Sequence, residues 1–562
     1  MRNPASKTTR HRAHLAALLC GLLVFTLGTE TVRAEPTPRP NFLIIMADDM
    51  GFSDVGAFGG EISTPNLDGL ARDGLRLTGF HTASTCSPTR AMLMTGTDHH
   101  RAGIANMAEM LTPSQRGKPG YDGHLTDTVV TVAELLRDAG YRTVMSGKWH
   151  LGNRRPEDDP ARRGFERVFA LIEAGHNHFG KESTPRSEWS AHYTENGVKV
   201  ELPKDFYSSD YFTDRLVKFL DEDRTRPFFA YLPFSAPHWP LPAPADVRDK
   251  YKGRYDAGWE VLLQERVARQ QQLGLLPPNA ETSAPATLRD WNSLDADEKR
   301  RQSRKMEIYA AMVDRMDWNI GRVLESLRHS GRLDDTVVVF LSDNGAAPDT
   351  LQAMFANVKG FQQRGEGDFA AWGSADSTLA YGPHWAQAAT APRRLYKSVT
   401  TEGGITSPTI IRYPGFARQH NSIDDHFATV MDIVPTVLEL AGVEHPGTHH
   451  HDRTVEPLRG KSMVAYLQKK TDRVHEEDEA IGWELFGQRA LRQGDWKADY
   501  VSEPNGSGRW ALYNLKQDPG ERHDLSTQQP ERLKQLVALW EDYARDMGVI
   551  LDEQVVGPYT GL

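Results

Sequence analysis

The stretch NFLIIMADDM (41–50) joins an uninterrupted apolar run to two acidic residues that follow it directly. The same arrangement recurs in TVM (143–145) before SGKWH, in PFFAYLPF (227–234) before SAPHWP, and in TVVVFL (336–341) before SDNG. Apolar runs without alternation are typical of strands that are buried on both faces of a sheet. Each of these segments is therefore predicted to be a central strand that ends in polar residues.

Helical patterns lie between these strands. Apolar residues recur at helical spacing over 126–140 and over 306–331, and Gly140 and Gly331 mark their ends. Alternation of strand and helix predicts an α/β fold with a large, mostly parallel sheet and helices on both faces. In such sheets the ligand site lies beyond the carboxyl ends of the strands. We therefore predict one site that includes all four polar clusters.

The first 34 residues are predicted to be a cleaved signal peptide. Basic residues precede the apolar run LAALLCGLLVFTLG (15–28), and the short side chains of Val32 and Ala34 fit cleavage after Ala34. The apolar run is shorter than the about 20 residues that a bilayer span needs. We therefore expect an exported protein, periplasmic or secreted, with no membrane attachment after cleavage. A formal net charge of −10, which cleavage makes more negative, argues against a nucleic-acid partner.

Cleavage would also remove Cys20 and leave Cys86 as the sole cysteine, so no intrachain disulfide could form. Pro88 suits the first position of a helix that continues through TRAMLM (89–94), which places Cys86 at or just before the helix N-terminus. The partial positive charge of a helix N-terminus favours a nucleophile that loses its proton. The sequence therefore predicts a chemical role for Cys86.

Polar side chains at the predicted strand ends form two sets. The first offers only oxygen ligands, which suit Ca²⁺ or Mg²⁺ rather than zinc. The second would add positive charge and hydrogen-bond donors around the metal ion, as a tetrahedral oxyanion requires. The oxygen set is Asp48, Asp49, Asp343 and Asn344, and the second set is Arg90, Lys148, His150, His238 and Lys397.

These segments resemble the signatures of the type I, formylglycine-dependent sulfatases. CSPTR (86–90), followed by AMLMTG, is similar to the Cys-x-Pro-x-Arg signature of that family, and GYRTVMSGKWHL (140–151) is similar to its second signature. ADDMGFSDVGAFGG, SAPHWP, SDNG and LYKSVTTEGGI match further family segments in the expected order. The resemblance extends from about Pro40 almost to the C-terminus and is closest to the bacterial arylsulfatases of the family.

The resemblance implies an alkaline-phosphatase-like fold with a second, smaller part. FGQRALRQGDWKADYV (486–501) predicts a hairpin, and WALYNLKQDPGERHDL (510–525) predicts a turn into the last helix. Both are similar to the small C-terminal α+β subdomain of sulfatases, which has an antiparallel sheet. We expect a catalytic domain over 40–444 and this subdomain over 445–562.

The resemblance also implies the chemistry of Cys86. A formylglycine-generating enzyme would oxidise this residue to Cα-formylglycine, whose hydrate carries two hydroxyl groups on one carbon. One hydroxyl attacks the sulfur of a small sulfate monoester, most typically an aryl sulfate, and expels the alcohol. The other hydroxyl then loses its proton as sulfate is released, so that one difficult hydrolysis becomes two easier steps.

Residue roles transfer from the family to matching positions of this sequence. One calcium ion would be bound by Asp48, Asp49, Asp343 and Asn344 beside the modified Cys86. Asp343 would also be the base for the attacking hydroxyl.

The remaining roles concern the hydrate and the sulfate group. Arg90 would hold the hydrate, while Lys148 and Lys397 would bind sulfate oxygens. His150 would assist deprotonation of the non-attacking hydroxyl. His238 would protonate or hydrogen-bond the leaving oxygen, with Lys397 as the alternative general acid.

Two other functions stay open on the sequence. A phosphonate monoester or phosphodiester hydrolase could use the same formylglycine chemistry. An exported calcium-dependent binding protein could carry an unconverted Cys86, although binding alone does not require the acid–base groups Lys148, His150, His238 and Lys397. The physiological sulfate ester and the oligomeric state are not encoded in any pattern of the sequence.

Overall fold

The computed structural model describes residues 39–180, 191–282, 288–350 and 366–551. The predicted signal peptide lies outside these residues. Among the helices of the described ranges, none is both long and apolar enough to cross a lipid bilayer.

A ten-stranded sheet organises the larger part of the fold. Its strands, in spatial order, are β11 (Ser422–Asp424), β2 (Leu75–Leu77), β10 (Thr409–Arg412), β9 (Thr336–Ser342), β1 (Asn41–Ala47), β8 (Phe228–Pro233), β4 (Arg142–Lys148), β5 (Arg167–Leu171), β6 (Tyr193–Glu195) and β7 (Val198–Lys199). The central strands from β9 to β5 are parallel, whereas β10 and β6 run antiparallel to their inner neighbours. The predicted mostly parallel sheet is confirmed, and all four predicted central strands belong to it.

Smaller strand pairs and short helical turns complete this part of the chain. The pairs are β3 (Phe80–His81) with β12 (Ala428–Thr429), and β13 (His449–His450) with β14 (Arg453–Thr454). Turns of 3₁₀ helix are Gly56–Phe58, Ala108–Met110, Pro156–Asp158, Pro160–Arg162, Trp291–Ser293, Phe369–Ala371 and Val430–Asp432.

Helices cover both faces of the large sheet, as predicted. They are α1 (Pro65–Asp73), α2 (Cys86–Thr95), α3 (Val132–Asp138), α4 (Ser208–Asp221), α5 (Trp259–Gln272), α6 (Ala296–His329), α7 (Gly382–Ala389), α8 (Glu402–Ile405), α9 (Ile433–Ala441) and α10 (Val464–Leu467). Strand β1 shows how the faces divide, because its successive side chains enter two apolar clusters. Leu43 and Ile45 pack with α4, α5 and α6, while Phe42 and Ile44 pack with α2, α3 and α9.

Capping residues set two helix starts differently from the prediction. Helix α3 begins at Val132 rather than near 126, because the Thr131 side chain accepts from the backbone N–H of Glu134 and the Glu134 carboxylate accepts in return. Helix α6 begins at Ala296 rather than at 306, because Asp295 and Glu298 form the same capping box. The first box shortens its helix relative to the apolar periodicity, and the second box extends its helix.

The C-terminal sheet is antiparallel, as the resemblance implied. It contains β15 (Ala480–Leu485), β16 (Gln488–Gln493), β17 (Trp496–Tyr500) and β18 (Trp510–Asn514), in chain order. The predicted hairpin is confirmed as β16–β17, with Gln493 opposite Trp496. Helix α11 (Pro530–Met547) covers one face, where Leu536 and Trp540 pack on Leu491 of the sheet.

Candidate active site

The register of the parallel strands brings the first acidic residues together. Ala47 of β1 pairs with Ser342 of β9, so Asp48 and Asp343 leave the sheet side by side. Asp49 has a left-handed backbone with a φ of 64°, and its N–H donates to Asp343 Oδ1 at 3.1 Å. Asp48 and Asp49 thus lie in the bend after the strand, as predicted, and both carboxylates are buried.

Arg90 of α2 contacts the carboxylates of Asp343 and Asp48. Its Nε and Nη2 donate to Asp343 Oδ2 at 3.1 and 2.7 Å, and Nη2 also lies 3.3 Å from Asp48 Oδ1. Its Nη1 donates to the backbone carbonyl of Lys148 at 3.0 Å. Arg90, Asp48 and Asp343 have no exposed side-chain surface. Arg90 therefore connects the helix to three strand ends and balances buried negative charge.

Two lysines and a histidine surround Asp48 and Asp49. Lys148 Nζ donates to both oxygens of Asp48 at 2.9 and 2.8 Å. Lys397 Nζ lies 2.8 Å from Asp49 and 3.4 Å from the Cys86 sulfur. His238 Nε2 lies 3.4 Å from Asp49 Oδ2, while its Nδ1 contacts the carbonyl of Trp239.

Cys86 is the first residue of α2, and its Sγ lies 3.5 Å from Asp49 Oδ1. Pro88 is the third helical residue rather than the first, a correction to the sequence prediction. Proline is tolerated there because the first four N–H groups of a helix lack intrahelical acceptors. The expected loss of the thiol proton is also not supported. Burial, and next the charge of Asp343, raise the pKa of Cys86 well above its usual value despite the nearby lysines.

His150 is the second residue after β4 and has a left-handed φ of 56°. Its Nε2 lies 3.1 Å from Glu109 Oε1, a contact that the sequence did not suggest. Trp149 is fully buried and donates through Nε1 to the carbonyl of Asp158 at 2.7 Å. Trp149 therefore packs in the core, while His150 lines the cavity.

Burial and charge perturb the pKa values of these groups in opposite directions. Burial, followed by repulsion from Asp48, raises the pKa of Asp343 to about 6 although Arg90 opposes this effect. Burial alone would also raise the pKa of Asp49, but Lys397, His238 and Lys148 together lower it. Burial lowers the pKa of His238 well below its usual value, so the imidazole is neutral at neutral pH.

The oxygen set fits a hard metal ion. Candidate ligand atoms of Asp48, Asp49, Cys86 and Asp343 lie within 4.8 Å of one another, which suits donors that share one ion at the 2.3–2.6 Å typical of calcium. Asn344 donates through Nδ2 to Asp49 Oδ1 at 2.7 Å. Its Oδ1 is buried and finds no hydrogen-bond donor in the described part of the chain. An acceptor in that state needs a partner, and a cation beside three carboxylates would be one.

A cavity of about 190 Å³ leads to Cys86. His150, His238 and Lys397 line it together with Cys86, so all four face a common space. The rest of its wall is mostly apolar and includes Ile104, Met107, Met110, Ile172, Trp239 and Pro240, although Glu109, Asn153, Glu173 and His176 also line it. The cavity therefore combines charged groups beside Cys86 with a largely apolar wall.

Sequence analysis did not identify most residues of the cavity wall. Glu109 lies in a 3₁₀ turn within a long irregular segment, and His176 lies in the loop after β5, where its Nε2 contacts Ser235 Oγ at 2.9 Å. Neither segment has a periodic pattern or a polar cluster at a strand end. The structure brings all of the predicted site residues to one region, but the wall around them comes from loops that no pattern marked.

Comparisons with known proteins place the chain in a family. The Sulfatase family profile matches residues 40–443, and the profile described as N-sulphoglucosamine sulphohydrolase, C-terminal, matches residues 394–542. The chain is 46% identical over 527 residues to an uncharacterized sulfatase of Schizosaccharomyces pombe, with 91% of this chain and 94% of the relative covered.

Two further matches cover most of the chain. An arylsulfatase of Klebsiella aerogenes is 37% identical over 442 residues, with 78% of this chain and 94% of the relative covered. The crystal structure of Ps i-CgsB superposes with a TM-score of 0.64 at 25% identity, with 92% of this chain and 96% of that chain covered. The chain therefore belongs to the sulfatase family, as a type I member close to a bacterial arylsulfatase. It is a sulfuric ester hydrolase.

Proposed function

We propose that this sulfatase hydrolyses aryl sulfates, or sulfate esters of similarly apolar alcohols. The observation that carries the proposal is the largely apolar wall of the cavity, where Met107, Met110, Ile172 and Trp239 line the same space as Cys86. An aromatic ring buried against such a wall gains about 1.5–3 kcal/mol relative to water. A sugar ring would instead place part of its hydroxyl groups against these apolar side chains, where they would lose hydrogen bonds to water without replacement.

We propose that Cys86 is converted to Cα-formylglycine and that one calcium ion is bound by Asp48, Asp49, Asp343 and Asn344. The Cys-x-Pro-x-Arg signature, the oxygen-only ligand set and the unpaired Asn344 Oδ1 support this assignment. The formylglycine hydrate would supply a hydroxyl nucleophile at position 86. The calcium ion would supply positive charge that stabilises oxygens of the hydrate and of the sulfate group.

The surrounding side chains are proposed to position the site, bind the sulfate group and transfer protons. Arg90 fixes residue 86 through the helix and keeps the carboxylates in place. Lys397, which lines the cavity, and Lys148, which is buried against Asp48, are proposed to offer ammonium groups to sulfate oxygens. His238 lies 3.4 Å from Asp49 and lines the cavity beside Trp239, so it is proposed to protonate or hydrogen-bond the departing ester oxygen, with Lys397 as the alternative proton donor. His150 is the proposed acceptor of a proton from the second hydroxyl.

Processing and organisation of the chain are further proposals. The basic and apolar pattern of residues 1–34 supports export to the periplasm or the medium with removal of this segment. A formylglycine-generating enzyme would be a partner during maturation. The chain would comprise a catalytic domain over 40–444 and a C-terminal subdomain over 445–562.

A substrate panel tests the proposed specificity. The protein is produced together with a formylglycine-generating enzyme, supplied with calcium, and assayed on phenyl sulfate, an N-acetylglucosamine sulfate and a phosphodiester. We expect kcat/KM to favour phenyl sulfate over the sugar sulfate by about 10- to 100-fold, as burial of one aromatic ring predicts. Preference for the sugar sulfate or for the phosphodiester would contradict the proposal.

Two measurements on the same protein test the proposed groups. Mass spectrometry of the peptide around Cys86 should show the aldehyde, and elemental analysis should show one calcium per chain. Cys86→Ala should abolish turnover and leave thermal unfolding nearly unchanged, because no other group is covalently attached to that side chain. A free thiol in fully active protein, stoichiometric zinc, or full activity after calcium removal would be contrary results.

A further inference from the structure

Glu109 lies on the cavity wall and contacts one of the site residues directly. Its Oε1 lies 3.1 Å from His150 Nε2, and a third of its side chain remains exposed while only 8% of the His150 side chain does. Both residues line the cavity that also contains Cys86. Glu109 belongs to the turn Ala108–Met110, so this contact ties an irregular loop to the end of β4.

The other ring nitrogen of His150, Nδ1, has an unsatisfied hydrogen-bonding position in the described part of the chain. Nδ1 is buried, and the described residues provide no hydrogen-bond partner for it. Burial lowers the pKa of His150 although Glu109 opposes this effect, so the imidazole is neutral at neutral pH. In a neutral imidazole, the nitrogen beside a carboxylate carries the proton and the other nitrogen keeps its lone pair. The geometry therefore places the proton on Nε2 and leaves Nδ1 as an acceptor that still lacks a donor.

We propose that Glu109 is a positioning residue, which fixes the tautomer of His150 so that Nδ1 accepts a proton from a hydroxyl group on residue 86. This inference rests on the proposed function and extends it to a residue that the family signatures above do not include. In the step, the O–H bond breaks and leaves its electron pair on oxygen, while the proton forms a bond to Nδ1. The resulting imidazolium is then balanced by the Glu109 carboxylate on its far side.

Kinetics of Glu109→Gln test the role in turnover. An activated ester such as 4-nitrophenyl sulfate is used, because its good leaving group makes the later, His150-dependent step limiting. We expect kcat to fall by about 10- to 100-fold, a part of the 10²–10⁴-fold that acid–base catalysis typically contributes. Since the Glu109 charge raises the pKa of His150, its removal should also move the acidic limb of the kcat profile to lower pH.

Glu325→Gln is the matched control. Glu325 makes a comparable contact, with Oε1 3.0 Å from His329 Nε2, and neither residue lines the cavity. Its substitution should change kcat less than about threefold, within the usual range for residues without a direct role. In a His150→Ala background, Glu109→Gln should cause no further loss, since it acts through His150. Equal losses for the two glutamates, or additive losses with His150→Ala, would overturn the inference.

An NMR measurement separates this inference from the proposed function, because it needs no turnover. In protein labelled with ¹⁵N at histidine, the His150 signals are identified by their absence in His150→Gln. We expect a protonated Nε2 and an unprotonated Nδ1 in the wild type. In Glu109→Gln the amide can donate or accept, so both tautomers should be populated. A protonated Nδ1 in the wild type, or an unchanged tautomer in the variant, would overturn the role of Glu109 whatever the substrate proves to be.

Discussion

Two buried groups of charges in this molecule look alike in composition but differ in their surroundings. The cavity cluster comprises Asp48, Asp49, Asp343, Arg90, Lys148 and Lys397. The docking cluster comprises Glu402, Lys497 and Glu521, and it joins α8 to β17 of the C-terminal sheet. In the docking cluster, Lys497 Nζ lies 2.9 Å from Glu402 Oε1 and 2.8 Å from Glu521 Oε1. All three side chains are buried.

Perturbed pKa values do not distinguish the two clusters. Burial raises the pKa of Glu521 to about 7, and it raises the pKa of Asp343 to about 6. Strong perturbations of this kind occur in structural ion pairs as well as in active sites. A raised pKa alone would therefore identify the docking cluster as an active site as readily as the cavity cluster.

The two clusters differ in whether their buried side-chain oxygens have hydrogen-bond partners. Both oxygens of Glu402 have partners, since Oε1 accepts from Lys497 and Oε2 contacts His81 and Thr406. Glu521 Oε2 accepts from the backbone N–H of Glu402 at 2.9 Å. By contrast, Asn344 Oδ1, which lies beside the cavity cluster, has no hydrogen-bond donor among the described residues. Lys397 of the cavity cluster also lines a cavity. A cluster whose polar atoms all have partners stabilises the fold, whereas a cluster with an unpartnered acceptor beside a cavity is available for a ligand.

The largest expected effect concerns His238, which contacts Asp49 of the cavity cluster. If His238 protonates the departing alcohol, His238→Ala should lose about 10²–10⁴-fold on an alkyl or phenyl sulfate. The loss should be far smaller on 4-nitrophenyl sulfate, because nitrophenolate leaves as a stable anion. The measurement is a plot of log kcat/KM against leaving-group pKa, which should be steeper for the variant than for the wild type.

Lys148→Ala is the matched variant for that series. It would remove a contact to sulfate oxygens, so its rate should fall across the series with little change of slope. Equal losses of His238→Ala on good and poor leaving groups would remove His238 as the general acid. Lys397, which lies 3.4 Å from the Cys86 sulfur, would then take that role.

The sequence predicted the cavity cluster better than the docking cluster, for a physical reason. A parallel strand buried on both faces is a continuous apolar run, and its end is the point where the ligand site lies, so Asp48 and Asp343 stand out. Lys497 and Glu521 sit in an ordinary alternating strand and a turn, where charged residues are normally exposed. Their pairing with Glu402 depends on how the two sheets dock, which no local pattern encodes.

Some features that sequence analysis missed did carry a local signal. Thr131 with Glu134, and Asp295 with Glu298, have the spacing of a capping box, which would have given the starts of α3 and α6. Glu109 had no such signal. Its partner His150 is far away in sequence, and only the tertiary structure brings the two together.

The second prediction concerns stability through the docking cluster. Lys497→Met would leave Glu402 and Glu521 buried side by side without their shared cation, which should cost about 3–5 kcal/mol of unfolding free energy. The midpoint of thermal unfolding should fall, while kcat of the folded enzyme should stay unchanged, because the cluster lies outside the cavity. Calorimetry and initial rates on the same samples provide the measurement.

Two further variants sharpen this result. Lys470→Met removes an exposed lysine and should leave the midpoint unchanged. Adding Glu521→Leu to Lys497→Met should restore part of the lost stability, because one of the two repelling carboxylates is removed. A reduced kcat with an unchanged midpoint for Lys497→Met would mean that the two clusters are not functionally separate.

The smallest expected effect is a pH dependence of stability at a second contact with the C-terminal sheet. His100 has no exposed side-chain surface, and it lies between Asp98 Oδ1 at 2.9 Å and Glu484 Oε2 of β15 at 3.3 Å. Burial alone would lower the pKa of His100, but the hydrogen bonds to Asp98 and Glu484 raise it from 6.5 to about 9. The folded protein therefore retains a proton that the unfolded chain releases above its own, lower pKa.

The stabilisation from His100 is fully present below pH 6.5 and is lost as the pH rises through about 9. Its size is about 3 kcal/mol at most, because a tenfold difference in proton affinity between the folded and unfolded states corresponds to about 1.4 kcal/mol. Unfolding free energies at pH 6 and pH 9.5, measured in excess calcium, should therefore differ less for His100→Gln than for the wild type. His329→Gln, at a histidine whose side chain is 76% exposed, should reproduce the wild-type difference. If His100→Gln kept the full wild-type pH dependence, the contact would not hold a proton, and docking of the C-terminal sheet would rest on the Glu402–Lys497–Glu521 network and apolar packing instead.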